Sequence, residues 1–129
     1  MGVNHKNTST AGNPAPATNA ETVIYTTPAI LTGPAGPPVG ITGTVNITPG
    51  TGTTAIILRV RQGSLTGTLV GGSPSHTVAA GAAQSISFGV TDTTQFTQQA
   101  GGGVYVVTAQ QTGGTANGTT NVVDIEVID

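Results

Sequence analysis

The segment Ile41-Thr42-Gly43-Thr44-Val45-Asn46-Ile47-Thr48, followed by Pro49-Gly50, decides the fold class. Ile41, Val45 and Ile47 fall at alternate positions and share one face, the period of a half-buried strand. Pro49-Gly50 then turns the chain. Outward from this segment the same signal recurs. Ala55 to Arg61 begins as an apolar run and ends by alternating around Val60. Ser85 to Thr91 alternates with Ile86, Phe88 and Val90 inward. Val104 to Ala109 is apolar on both faces, which predicts a central strand or one lying under a partner. Near the C-terminus Val123, Ile125 and Val127 point inward while Asp124 and Glu126 point out. Weaker strands are predicted at 22–26, 66–70 and 76–79. No segment offers ten residues of helical period.

Seven or eight short strands in this length, separated by Gly and Pro, predict an all-β chain folded as a single antiparallel β-sandwich. The connection Thr112–Gly118 is short enough for a hairpin between the last two long strands, which suits an immunoglobulin-like order. A jelly roll has the same number of strands. Alternation alone leaves both open.

The pattern begins only at Glu21. Residues 1–20 contain Val3 and no other large aliphatic residue, and they show no period. They are predicted to be an extended N-terminal arm, mobile unless a partner orders it, ahead of a sandwich domain at 21–129. No apolar core of a signal peptide is present, and Lys6 stands where a myristoylation motif needs Ser or Thr, so cytoplasmic synthesis is expected.

Composition narrows the function. Of 129 residues, 3 are Lys or Arg and 5 are Asp or Glu, so 6% are charged where about 25% is usual. Three basic residues and a net charge of −2 do not suit a phosphate backbone, so no nucleic-acid partner is expected. No run of about 18 apolar residues exists to cross a membrane as a helix. The absence of Cys removes a thiolate zinc site, a disulfide framework and a Cys nucleophile. Thr, Val and Ile number 25, 14 and 9, the β-branched types that suit strands. Hydroxyls and amides must then cover the surface, and such a surface docks without stripping water from charges.

Few residues could carry chemistry. His5 and His76 are far apart, no nucleophile-elbow motif accompanies them, and no catalytic residue is expected. Asp124 and Glu126 share one face of a strand, and Arg59 and Arg61 have the same spacing on another. If those strands are neighbours, the four charges form a cross-strand ladder. A paired-carboxylate acid/base site or a Ca²⁺ site is the sharper reading, but the first draws on separate elements and the second needs six or more oxygens. The structural or interface reading is preferred, with no metal and no cofactor. Phe96, in a polar run, is the candidate exposed anchor at an interface, and a ring folded back onto the sandwich is the alternative. Gly33-Pro34-Ala35-Gly36-Pro37-Pro38 reads as two collagen triplets, too few for a triple helix, hence a stiff crossing between strands. Gly101-Gly102-Gly103 lacks the ending of a phosphate loop.

The stretches ETVIYTT, GITGTVNITPGTGTTAIILRVRQG, SISFGVTDT and GGGVYVVTAQQTGGTANGTT resemble small virion proteins of tailed bacteriophages, over Glu21 to Val127. The resemblance implies a capsid decoration (cement) protein, non-enzymatic, commonly a trimeric β-sandwich that clamps the major capsid protein on the capsid surface. It tips the topology to jelly-roll-like, keeps the immunoglobulin-like order as the alternative, and implies an arm that reaches a neighbour. Arg59, Arg61, Phe96, Asp124 and Glu126 are the interface candidates. The competing expectations are a tail- or head-fibre module that binds a host surface and a carbohydrate-binding or adhesin sandwich. The first predicts exposed aromatics or a grooved tip, and only four aromatic residues are present; the second is expected to carry an export signal.

Overall fold

A computed structural model describes residues 3–13, 20–30, 38–73, 75–77, 82–94, 103–114 and 118–128. Nine strands are described: β1 (Val3–Asn13), β2 (Thr22–Thr26), β3 (Val39–Thr48), β4 (Thr53–Gln62), β5 (Leu69–Gly72), β6 (His76–Thr77), β7 (Gln84–Asp92), β8 (Tyr105–Gly113) and β9 (Thr119–Ile128). One sheet has the order β1-β9-β3-β7 and the other β2-β8-β4-β5, with β6 also paired to β4. Every pairing is antiparallel.

This order is that of a jelly roll. Apart from the β4–β5–β6 run, each successive strand crosses to the other sheet. The 112–118 connection therefore is not a hairpin within one sheet, as the immunoglobulin-like alternative required. Both sides of β8 are occupied by β2 and β4, and both sides of β9 by β1 and β3. Gly113 and Gly114, at φ 76° and 92°, turn the chain from one sheet to the other. Gly118 then passes so close to the β3–β4 corner that a Cβ there would lie 2.4 Å from the Thr48 carbonyl oxygen.

The strands follow the alternation. Along β3 the residues Val39, Ile41, Gly43, Val45 and Ile47 are buried. They meet Ile56, Leu58 and Val60 of β4, Ile86 and Phe88 of β7, Tyr105, Val107 and Ala109 of β8, and Ile125 and Val127 of β9. Gly43 stands directly opposite Phe88, and a Cβ on it would lie 2.8 Å from the Phe88 ring and 2.6 Å from Ile125 Cδ1. The missing side chain is what lets the one large ring of β7 lie across β3. The run Val104–Ala109 does become a central strand, between β2 and β4. On β9 the register against β3 shifts between Asp124 and Val122, so a bulge falls at Val123.

Val3–Asn13 runs beside β9 for its whole length, with Lys6 opposite Glu126 and Thr8 opposite Asp124. A stretch without apolar period is thus a strand, because its pairing is made by backbone groups. The predicted strand at 66–70 begins at Leu69 and continues to Gly72, since Gly63 to Thr68 form the turn out of β4. Phe96, Gly101, Gly102 and the collagen-like stretch from Gly33 to Pro37 lie outside the described residues, as do Val78 and Ala79.

Candidate functional site

Alternation along β4 buries Ile56, Leu58 and Val60 and turns Arg59 and Arg61 to the outer face of their sheet. Glu21 immediately precedes β2, on the far side of β8 from β4. Its carboxylate reaches across β8 to both guanidinium groups. Arg61 donates from Nε to Glu21 Oε2 at 2.6 Å and from Nη2 to Oε1 at 3.0 Å, a two-bond fork. Arg59 Nη1 donates to Glu21 Oε1 at 3.3 Å and to Gln110 Oε1 at 2.7 Å. Thr108 Oγ1, on the central strand beneath, donates to Oε2 at 2.6 Å. Arg61 Nη1 also donates to the Gly67 carbonyl at 3.2 Å, which ties the β4–β5 turn to the cluster.

Two guanidinium groups share one carboxylate, so the cluster carries a surplus of one positive charge. The Arg61 hydrogen bonds hold the Glu21 carboxyl below its usual pKa, against a smaller upward push from burial. The same contact raises Arg61. The side chains remain partly exposed, 25% for Arg59, 21% for Arg61 and 16% for Glu21. Leu69 lies opposite Arg61 in register, and it and Leu65 are the exposed large apolar residues among the described ones.

Asp124 and Glu126 lie on β9, opposite Thr44 and Thr42 of β3. That is the other sheet, so the four-charge ladder does not form. The arginines are paired with Glu21 instead, 38 and 40 residues away in sequence. The Oδ1 oxygen of Asp124 is buried without a hydrogen-bond partner among the described residues. Beside it the β3–β7 surface is hydroxylic, with Thr44 Oγ1 3.1 Å from Ser87 Oγ.

A second polar cluster escaped the sequence reading. Asp92 ends β7 and is 5% exposed. Its Oδ2 accepts from Tyr105 Oη at 2.8 Å and from Gln62 Nε2 at 2.8 Å. Its Oδ1 accepts from the Thr94 backbone N at 2.9 Å and from Thr94 Oγ1 at 2.7 Å. Burial pushes this carboxyl up, but the four donors outweigh it and leave its pKa lowered. Tyr105 and Gln62 belong to one sheet and Asp92 to the other, so the carboxylate joins the two layers at one end of the sandwich. At the opposite end of β8 the buried Gln111 accepts from the Gly50 N–H at 3.2 Å and holds the β3–β4 corner. The signal for Asp92 was in the sequence: Asp92-Thr93-Thr94 at a strand end is a turn in which an Asp caps the backbone two residues on.

Arg59, Arg61, Asp92, Asp124, Glu126 and His76 do not meet in one cleft. They lie on the two sheets, at one end of the sandwich, and on β6, where His76 pairs with Ile56. Among the described residues no group of three His, Asp or Glu could hold a metal ion.

No family model and no curated protein matches the chain. Among solved structures, it is similar to a chain in the structure of infectious bursal disease virus, Gx strain, at 13% identity and a TM-score of 0.54. The match covers 98% of this chain and 29% of that one. A chain in the structure of the Gt strain aligns at 12% identity over 96% of this chain and 39% of that one, with a TM-score of 0.37. The chain therefore spans well under half the length of either. The Gx likeness is one of fold, and it agrees with the two-sheet sandwich described above.

Proposed function

We propose that this chain is a non-enzymatic structural protein of a virion, and more narrowly a decoration (cement) protein on the head shell of a tailed bacteriophage. The observation that carries the virion reading is the jelly-roll strand order, on a fold similar over 98% of the chain to part of a virus structure. The sequence resemblance supports the narrower one. The surface fits the role: where Thr42, Thr44, Asn46, Ser85 and Ser87 cover a sheet with hydroxyl and amide groups, docking removes little hydration from charge. The partner is the major capsid protein, and a trimer on the capsid surface is the favoured assembly. Binding only the assembled shell stabilises it by mass action, so no chemical step is needed. Arg59, Arg61, Asp124 and Glu126 are proposed contacts, and the surplus charge beside Leu65 and Leu69 suits an acidic neighbour.

The test is copy number in purified particles, by quantitative mass spectrometry against the most abundant shell protein. A ratio near one, or a simple fraction such as one-third, is expected. A few copies per particle would move the protein to a tail or fibre, and absence from particles would overturn the virion reading.

A further inference from the structure

We infer that the Nε–Nη2 edge of Arg59 is the receiving half of a docking site, and that its occupant is an Asp or Glu carboxylate presented between aliphatic side chains of a partner protein. The inference rests on the reading of the chain as an assembly subunit and names the chemical group that its charged face takes.

The two arginines of β4 use their guanidinium groups differently. Arg61 gives its Nε–Nη2 edge to Glu21 as a fork and its Nη1 to the Gly67 carbonyl. Arg59 bonds through Nη1 alone, to Glu21 and to Gln110. Its Nε and Nη2, which form the edge that matches a carboxylate two-pronged, have no partner among the described residues. Neither atom is sealed from solvent, since among the described residues the buried side-chain polar atom without a partner is Asp124 Oδ1. Because Nη1 is anchored by two acceptors, the open edge is held in a fixed orientation, which lowers the cost of binding.

No described carboxylate of the chain can fill that edge. Glu21 already accepts four hydrogen bonds, as many as its lone pairs take. Asp92 also accepts four, at the end of the sandwich. Asp124 and Glu126 lie on the other sheet. The carboxylate must therefore come from another molecule.

The approach to Arg59 is open on one side and apolar around it. Its register partner on β5 is Gly72, which is exposed and carries no side chain. A Cβ there would lie 2.9 Å from Arg59 Cα, so the gap is kept by the backbone packing itself. Ile57 lies two residues before Arg59 and is half-buried, while Leu69, opposite Arg61, and Leu65 are exposed. An acidic residue with aliphatic neighbours matches both parts of this surface, by two parallel charge-assisted bonds and by apolar contact. A phosphate group also fits a guanidinium fork, but one open arginine on a chain of net charge −2 offers no array for a phosphate backbone.

The experiment uses the full chain labelled with ¹⁵N. Arg59 and Arg61 are its two arginines, so its spectrum holds two Nε–Hε signals, and Arg59→Lys identifies them by removing one. In the free protein the Arg61 signal should lie downfield and exchange slowly, because Glu21 accepts from it. The Arg59 signal should be that of a solvated guanidinium. The probe is the capped peptide acetyl-Leu-Glu-Leu-amide, with its Gln counterpart and inorganic phosphate as controls. At millimolar concentration the Glu peptide should move the Arg59 signal downfield and leave that of Arg61 in place. The Gln peptide should move neither. Arg59→Lys keeps the charge but not the planar edge, so it should weaken binding of the Glu peptide about tenfold, read from the backbone amides of Leu69 and Gly72. An Arg59 signal already downfield and protected in the free protein would overturn the proposal. So would no shift with the Glu peptide, an equal shift with both peptides, or a response to phosphate alone. Copy number in particles enters none of these outcomes, so the virion reading and this one fail separately.

Discussion

Asp92 and Glu21 are two carboxylates that each accept four hydrogen bonds, yet they hold different things. The donors to Asp92 are neutral and come from both sides of the sandwich: Thr94 just beyond β7, and Tyr105 and Gln62 on the facing sheet. The donors to Glu21 are two cations and a hydroxyl, all on the outer face of one sheet. Asp92 therefore joins layers, while Glu21 fastens the start of β2 across a layer that already exists. Burial follows the same division, since Asp92 is 5% exposed and the arginines around Glu21 keep more than a fifth of their side-chain surface in water. A buried hub of neutral donors is a matter of stability. A half-exposed hub with surplus charge is a matter of position and of what docks beside it.

The widest break in that comparison is Asp92→Ala. It removes the acceptor of the buried Tyr105 hydroxyl and one of the two acceptors of the half-buried Gln62 amide, and a buried polar group that loses its partner costs about 1–3 kcal/mol. Urea unfolding should show a loss of about 3 kcal/mol. Tyr105→Phe removes only one of the four donors and should cost about 1 kcal/mol. No loss for Tyr105→Phe beside a large loss for Asp92→Ala would mean that the carboxylate serves its turn with Thr94 and does not join the sheets through Tyr105.

How far this was legible differs by element. Ile41 to Ile47 and Ile86 to Val90 announce their strands because one face is buried and the other is not. Val3–Asn13 does not, because an edge strand held by backbone groups needs no apolar alternation. Arg59 and Arg61 were recognisable as an outward pair for the same reason that Ile56, Leu58 and Val60 are inward. Their partner was not. The matching spacing of Asp124 and Glu126 pointed to β9, whereas a jelly roll sends β9 to the other sheet and brings Glu21 over β8. Which strands become neighbours depends on long-range crossings that local period does not encode. Asp92 lay in a polar run, where its turn with Thr94 was the only local sign.

Acid should separate the two hubs next. Both carboxyls titrate below their ordinary values of 4.5 for Glu21 and 3.8 for Asp92. A lowered folded pKa means that the unfolded chain binds the proton more readily. The stabilisation is complete above the unfolded values and fades as pH falls through the folded ones. Stability should therefore be flat from pH 7 to about pH 5 and drop below pH 4. Asp92→Asn and Glu21→Gln should each remove part of that drop. Salt at 1 M should weaken the Glu21 contribution and leave that of Asp92 nearly unchanged, since screening acts on exposed pairs. An equal loss of both contributions at 1 M salt would remove the distinction between the two hubs.

The smallest effect sharpens the comparison most. Arg59→Ala takes away one 3.3 Å contact to Glu21, but the Arg61 fork and Thr108 keep that carboxylate in place. Partly exposed ion pairs of this kind contribute about 0–1 kcal/mol, so thermal unfolding should shift by a few degrees at most. Arg61→Ala should cost more, because it removes both bonds of the fork and the tie to the Gly67 carbonyl. If the surplus charge serves docking, Arg59→Ala should weaken association with the partner while barely touching stability, which no substitution at Asp92 could do. A collapse of the fold on Arg59→Ala would mean that the Glu21 hub is as structural as the Asp92 one, and the division between the two carboxylates would be gone.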